Sequence, residues 1–312
     1  MKIGFLFPGQ GSQVVGMGKD IYEKYPEARE IYSKVEELTK INIADISFNG
    51  PEELLNETKY TQLAILTMSL AIIEILKKGN INAEISAGLS LGEYSALIYS
   101  GALKFDEGIK IVQKRGEYMQ NLVPDGEWLM AAILGLTDNQ VEEICGEIED
   151  GFVVPANYNC EGQIAISGER DAVREAEELA KQAGAKKVLE LKTSGPFHTI
   201  KLEQASKALN KDLQTVKINN YNSKVIKNIN GELYKIDDDI KDILAKHIIS
   251  PVRFSKTIQT MLNEGIDTFV EIGPGKILSG FVKRTKVEKA VNILNINNVK
   301  TLEDTISLLR SI

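Results

Sequence analysis

The sequence predicts an α/β fold in which a parallel-sheet core is interrupted by a small inserted unit. Three observations lead there. Short apolar strand segments alternate with longer helical ones along most of the 312 residues. Glycine-rich turns close several strands, as in "FPGQGSQ" and "EIGPGKIL". Between residues 128 and 192 the rhythm changes to strand, helix, strand, strand, helix, strand, which is the ferredoxin-like order.

Taken in chain order, "KIGFLF" is a buried first strand and "KDIYEKYPEAREIYSKVEEL" is helical. A long helix fits "TQLAILTMSLAIIEILKKG" and closes at Gly79. "AEISAG" is a short strand, with "LGEYSALIYSG" as the helix after it. In the insert, "WLMAAILG", "GFVVPANY", "GQIAISG" and "KKVLELK" are strands. Its helices are "TDNQVEEICGEIED", capped by Thr137, and "RDAVREAEELAKQAG". The main pattern resumes with "KVIKNING" as a strand, then "DDIKDILAKHI" and "RFSKTIQTMLNEG" as helices. "TFVEIG" and "NILNI" are strands, and "TLEDTISLLRSI" is the closing helix. Residues 1–125 and 196–312 thus form a discontinuous core and 126–195 the insert, with a ligand cleft expected between them.

Composition narrows the function. With 37 basic and 44 acidic side chains the net charge is −7, which argues against nucleic acid as the main partner. No apolar run approaches the roughly 20 residues of a membrane span, so no membrane association is expected. The N-terminus reads as a strand and not as a signal peptide. Cys145 and Cys160 form no CxxC pair, as expected of a chain in a reducing cytoplasm. No histidine–carboxylate spacing points to a metal.

One stretch carries chemistry. "AGLSLGEYSA" holds Gly-x-Ser-x-Gly between a strand and a helix, so Ser90 is a candidate nucleophile raised on a sharp turn. The helix N-terminus would place free N–H groups beside a developing oxyanion. A serine needs a base, and the chain has two histidines, His198 and His247. His198, in the loop "TSGPFHT", is the better candidate; His247 sits on an amphipathic helix. Arg115 is the one charge on the stripe Gly108, Val112, Arg115, Met119 and Leu122. A buried arginine needs an anionic partner, so Arg115 is either in a structural ion pair or a clamp for an acidic substrate. "PGQGSQ" reads as a tight turn at a strand end and, with no Gly-Lys-Ser/Thr after it, not as a phosphate loop.

The motifs "FPGQGSQ", "GLSLGEYSAL", "VQKRGEYMQ", "GQIAISG", "GPFHT", "SPVRF" and "EIGPGKIL" come in this order across nearly the whole chain. Together they resemble the malonyl-CoA–acyl carrier protein transacylases of bacterial fatty-acid synthesis. The resemblance implies a hydrolase-like parallel-sheet core with an inserted ferredoxin-like subdomain. It implies Ser90 as nucleophile, His198 as base and Arg115 as the group that binds the malonyl carboxylate. The N–H groups of Gln10 and Leu91 would form the oxyanion hole, and Gln62 would line the site. Phe197 resembles malonyl-selective members. The base would be oriented by the main-chain carbonyl of His247, at a position where the family usually has glutamine. A second departure is Leu89, where the family usually has histidine. The implied reaction is ping-pong acyl transfer between malonyl-CoA and holo-acyl carrier protein, with no cofactor, in a cytoplasmic monomer. Carrier docking would need a basic face, with Lys186, Lys187 and Lys192, or Lys276, Lys283, Arg284 and Lys286, as candidates. A discrete polyketide-synthase acyltransferase is the neighbouring alternative. A serine esterase or thioesterase would share the serine and base but gives no reason for Arg115.

Overall fold

The computed structural model describes residues 1–191, 193, 195–287 and 289–310. Its strands are, in chain order, β1 (Ile3–Phe7), β2 (Ile85–Gly88), β3 (Trp128–Leu134), β4 (Val153–Cys160), β5 (Gln163–Glu169), β6 (Lys187–Leu191), β7 (Lys224–Val225), β8 (Thr268–Ile272) and β9 (Asn292–Ile296). Every residue of β1, β2 and β8 is buried. Strands buried on both faces belong in a parallel sheet covered by helices. They form one, with order β7-β2-β1-β8-β9 and all pairs parallel.

The helix Thr58–Lys78 is the spine of the core. It is 21 residues long with mean hydropathy 1.4, long and apolar enough to cross a membrane by composition. That corrects the expectation that no segment reaches this length. The helix is instead a core element: 83% of its apolar window is buried inside the protein. Each fully buried Leu or Ile on it contributes about 1.5–3 kcal/mol.

The second sheet is antiparallel, with order β4-β5-β3-β6. With the helices Asp138–Glu147 and Arg170–Gln182 it makes the ferredoxin-like subdomain. Thr137 caps the first of these helices through a capping box with Gln140. The edge strand β4 is tied to the core by main-chain bonds, Tyr158 N–H to Val252 O at 2.8 Å and Val252 N–H to Ala156 O at 2.9 Å. Arg253 stacks over the Tyr158 ring at 3.8 Å.

One expected strand is largely absent. "KVIKNING" pairs only at Lys224–Val225. Beyond it Ile226 bridges Leu233, Lys227 N–H bonds Glu232 O, and the chain turns so that Asn228 points inward. The short helices Ile43–Asn49, Glu52–Leu55 and Ile277–Arg284 were not legible as helices in the sequence. Between the sheets opens a cleft of ≈ 460 Å³, walled by Gln10, Leu89, Asn159, Leu191, Leu278 and Phe281 among others.

Candidate active site

The serine turn is built by close backbone approach. A Cβ on Gly88 would lie 2.0 Å from the Gly92 carbonyl carbon, and one on Gly92 would lie 2.1 Å from Phe7 O. Only glycine fits either position. Between them Ser90 takes the left-handed region, φ 53, which is strained for a residue with a side chain. The turn's N–H groups are almost all occupied. Leu89 donates to Phe7 O at 3.0 Å, Ser90 to Asn228 Oδ1 at 2.7 Å, Gly92 to Leu89 O at 3.0 Å and Glu93 to Ser90 O at 3.2 Å. Among the described residues, the N–H of Leu91 has no acceptor. Neither has that of Gln10, in a loop pressed so close to the turn that a Cβ on Gly9 would lie 2.4 Å from Leu89 O. Both donors predicted for an oxyanion are therefore open.

The loop "GPFHT" holds His198 at φ 61, also left-handed, and 3% exposed. Its Nε2 lies 2.8 Å from Ser90 Oγ and its Nδ1 lies 3.0 Å from the His247 carbonyl oxygen. A carbonyl only accepts, so Nδ1 carries the proton and Nε2 presents its lone pair to the serine hydroxyl. Burial, then the neighbouring His247 and Arg115, hold the His198 pKa well below the usual imidazole range. The His247 and Ser250 main-chain groups partly offset this. His198 is thus a neutral acceptor at neutral pH, the state a general base needs.

Arg115 lies on the helix Phe105–Asn121 and is 1% exposed. Its Nη1 donates to Gln62 Oε1 at 2.6 Å and its Nη2 to Ser90 Oγ at 3.0 Å. The guanidinium sits 5.4 Å from the centre of the Tyr94 ring, and Nε has no partner. Among the described residues no carboxylate lies within ion-pair distance, so the structural ion-pair reading finds no support. Burial pushes the Arg115 pKa down, and Tyr94 and Glu93 partly restore it. A buried cation with a free donor, beside the serine, has the chemistry to pair with a small carboxylate.

Ser90, His198, Arg115, Gln62 and the His247 carbonyl therefore form one hydrogen-bonded chain. Phe197 is buried in the main core beside the base. Leu89 is 9% exposed and packs with the apolar cluster of Phe254, Leu278 and Phe281 while walling the cleft. Two site residues were missed. Asn228, fully buried, holds the turn through Ser90 N–H and Gly88 O, each at 2.7 Å. Glu93, also fully buried, is the only charged residue on the helix Gly92–Tyr99, a signal the sequence did contain. Of the predicted basic residues, Lys192 lies outside the described ones. Lys276, Lys283, Lys286, Lys186 and Lys187 are exposed, while Arg284 bonds Gln163 and Lys286 pairs with Glu161 at 2.8 Å. Among the described residues no group of His, Cys, Asp and Glu is placed to hold a metal ion.

This geometry has relatives. Residues 4–303 match the family model of the acyl transferase domain. The malonyl CoA-acyl carrier protein transacylase of Bacillus subtilis is 42% identical over 99% of this chain and 98% of its own length. The chain belongs to the acyl transferase family of malonyl CoA-acyl carrier protein transacylases. The crystal structure of the transacylase of that name from Clostridium perfringens superposes with a TM-score of 0.94 at 46% identity, covering 100% of this chain and 98% of that one. A type II PKS acyl-carrier protein in complex with its malonyl-transacylase provides a further likeness, at TM-score 0.94 and 31% identity, covering 99% and 100% of the two chains. The transacylase fold, a hydrolase-like core with a ferredoxin-like subdomain, is the one found here.

Proposed function

We propose that this chain transfers malonyl from malonyl-CoA to the phosphopantetheine thiol of acyl carrier protein, through a malonyl-serine intermediate, in fatty-acid synthesis. One observation carries the reading: a histidine and a buried arginine, with no carboxylate partner among the described residues, both hydrogen-bond the hydroxyl of the same serine. A simple esterase has no need of that arginine.

In the first half-reaction Ser90 Oγ attacks the thioester carbonyl and its proton passes to His198 Nε2. The His247 carbonyl steadies the imidazolium through Nδ1–H. The tetrahedral oxyanion is held by the Gln10 and Leu91 N–H groups, each donor worth about 3–4 kcal/mol in comparable sites. The C–S bond breaks and the coenzyme A sulfur leaves with the proton from His198. In the second half-reaction His198 takes the carrier's thiol proton as the sulfur attacks the serine ester. The C–O bond breaks and Ser90 recovers its proton.

Arg115, oriented by Gln62, pairs with the malonyl carboxylate. A neutral acyl group leaves that desolvated guanidinium unpaired and is rejected. Phe197 restricts room for a branched acyl group. No metal or redox cofactor takes part.

Substrate enters between a core of residues 1–125 and 196–312 and an insert of 126–195. Exposed Lys283 and Arg284 lie on the helix Ile277–Arg284, with exposed Lys276 at its N-cap, and Ile277, Leu278 and Phe281 of that helix line the cleft. They offer the acidic carrier a docking face, and charge reversal there raises the carrier KM. The working state is a cytoplasmic monomer. Intact-mass analysis after malonyl-CoA addition tests the reading: wild type gains one malonyl group and Ser90→Ala gains none. Loading of Ser90→Ala, or none on wild type, would overturn it.

A further inference from the structure

We propose that Glu93 is a positioning residue for the acyl transfer, coupling the turn that carries Ser90 to the carbonyl that orients His198. The proposal rests on the malonyl-transfer reading above.

Glu93 is fully buried on an otherwise uncharged helix. A carboxylate is retained in such a place only when donors surround it. Three do. Tyr234 donates its hydroxyl to Oε1 at 2.5 Å, the Asn228 main-chain N–H reaches Oε2 at 3.3 Å, and His247 Nδ1 lies 3.0 Å from Oε2. The histidine contact has hydrogen-bond length, yet neither ring nitrogen of His247 makes an aligned hydrogen bond. It is therefore a close approach and not a hydrogen bond.

Two of these partners lead directly into the site. The Asn228 side chain clamps both sides of the serine turn, accepting from Ser90 N–H and donating to Gly88 O. His247 accepts the His198 Nδ1 proton through its carbonyl, and its ring stacks on the His198 ring at 5.1 Å. Ser90 and His198 both occupy left-handed backbone conformations, φ 53 and 61. Such strain persists only where the surroundings over-determine it. Glu93 contacts the restraints on both, Asn228 through its main-chain N–H and His247 through its ring. Glu93, Asn228 and His247 are 0% exposed, so the network works in a low dielectric where each polar contact is stiff. Tyr234 is the third partner and, among the described residues, hydrogen-bonds neither Ser90 nor His198, which makes it the control.

The experiment compares wild type, Ser90→Ala, Glu93→Gln and Tyr234→Phe by steady-state transfer, rapid-quench malonyl loading and thermal unfolding. Glu93→Gln keeps the volume and replaces the carboxyl with an amide. Its kcat and loading rate fall roughly ten- to a hundredfold at a KM within about twofold, the signature of a displaced reacting pair. Tyr234→Phe removes a donor from the same carboxylate and keeps kcat within about threefold, whatever its loss of thermal stability. Should Glu93→Gln not fold, Asn228→Ala is measured by the same criteria. Two results overturn the proposal: Glu93→Gln turning over at the wild-type rate, or both variants losing kcat in proportion to their loss of stability. Either leaves malonyl transfer intact. Wild type that forms no malonyl-enzyme, or Ser90→Ala that does, overturns the transfer reading and this proposal with it.

Discussion

Two junctions of the same parallel sheet share a plan and differ in what they do with it. At one, β2 turns through Leu89, Ser90 and Leu91 into the helix Gly92–Tyr99. At the other, β8 turns through "GPGK" into the helix Ile277–Arg284. The second junction places its positive φ values on glycines, Gly273 at 138 and Gly275 at 78, and so carries little strain. It also closes its own helix. Glu271, fully buried on β8, accepts the Leu278 N–H at 3.1 Å and the Ser279 N–H at 2.7 Å. The first junction puts positive φ on a serine and leaves the Leu91 N–H without an acceptor among the described residues. Its buried glutamate, Glu93, faces Asn228, Tyr234 and His247 and leaves the helix N-terminus open. A strand–turn–helix unit can host a reactive serine, as proposed for Ser90, when its N-terminal donors stay open and its strain falls on that serine. It is structural when an internal carboxylate occupies the donors.

Ser90→Ala should break the first junction completely, lowering malonyl transfer by roughly 10⁴-fold or more, with no covalent intermediate by intact mass. Arg115→Ala comes next. The preference for malonyl over acetyl should fall by roughly a hundredfold, read as competing loading from the two thioesters. A variant that still prefers malonyl would show that the buried guanidinium is not the carboxylate receptor. Leu89→His, which restores the residue usual in the family, should change loading by less than about tenfold, because His198 already supplies the base. A gain of orders of magnitude would mean that the polar neighbour matters.

The pH dependence should be weaker still. His198 is held below the ordinary imidazole value, so kcat/KM should be nearly flat from pH 8 down to about 6.5, with its acid limb below that. The sign for stability is the same. The unfolded chain binds the His198 proton more readily than the folded one, so this histidine's contribution is lost as pH falls through about 6.5 toward the depressed folded value. An acid limb centred above pH 7 would contradict the burial of the base. The smallest effect on chemistry belongs to the second junction. Glu271→Ala should cost about 2 kcal/mol of stability in denaturant unfolding by exposing the helix N–H groups, while loading stays within about twofold.

Some residues are legible because they break a local pattern. Arg115 interrupts an apolar helical stripe, and Ser90 stands between two glycines at a strand-to-helix change. Asn228 breaks nothing: "KVIKNING" looks like a strand and turn, and its side chain gains meaning only when it meets Gly88 and Ser90, 140 and 138 positions away in the chain. Glu93 was visible inside the motif, but its partners lie on other segments. The strand predicted at 224–231 shrank to two residues for the same reason, since its backbone serves the site beyond Val225.

The sequence by itself determined the layers, the interrupted order of the two sheets and the chemical types at the site. Apolar periodicity, glycine turns and rare polar interruptions are local properties of the chain. Tertiary structure alone decided which N–H groups stay open, which glutamate closes a helix and which braces a site. It also set the tautomer His198 adopts against the His247 carbonyl. Those outcomes depend on distances between segments far apart in the chain, and on a buried environment that makes each unpaired or paired polar atom costly or valuable.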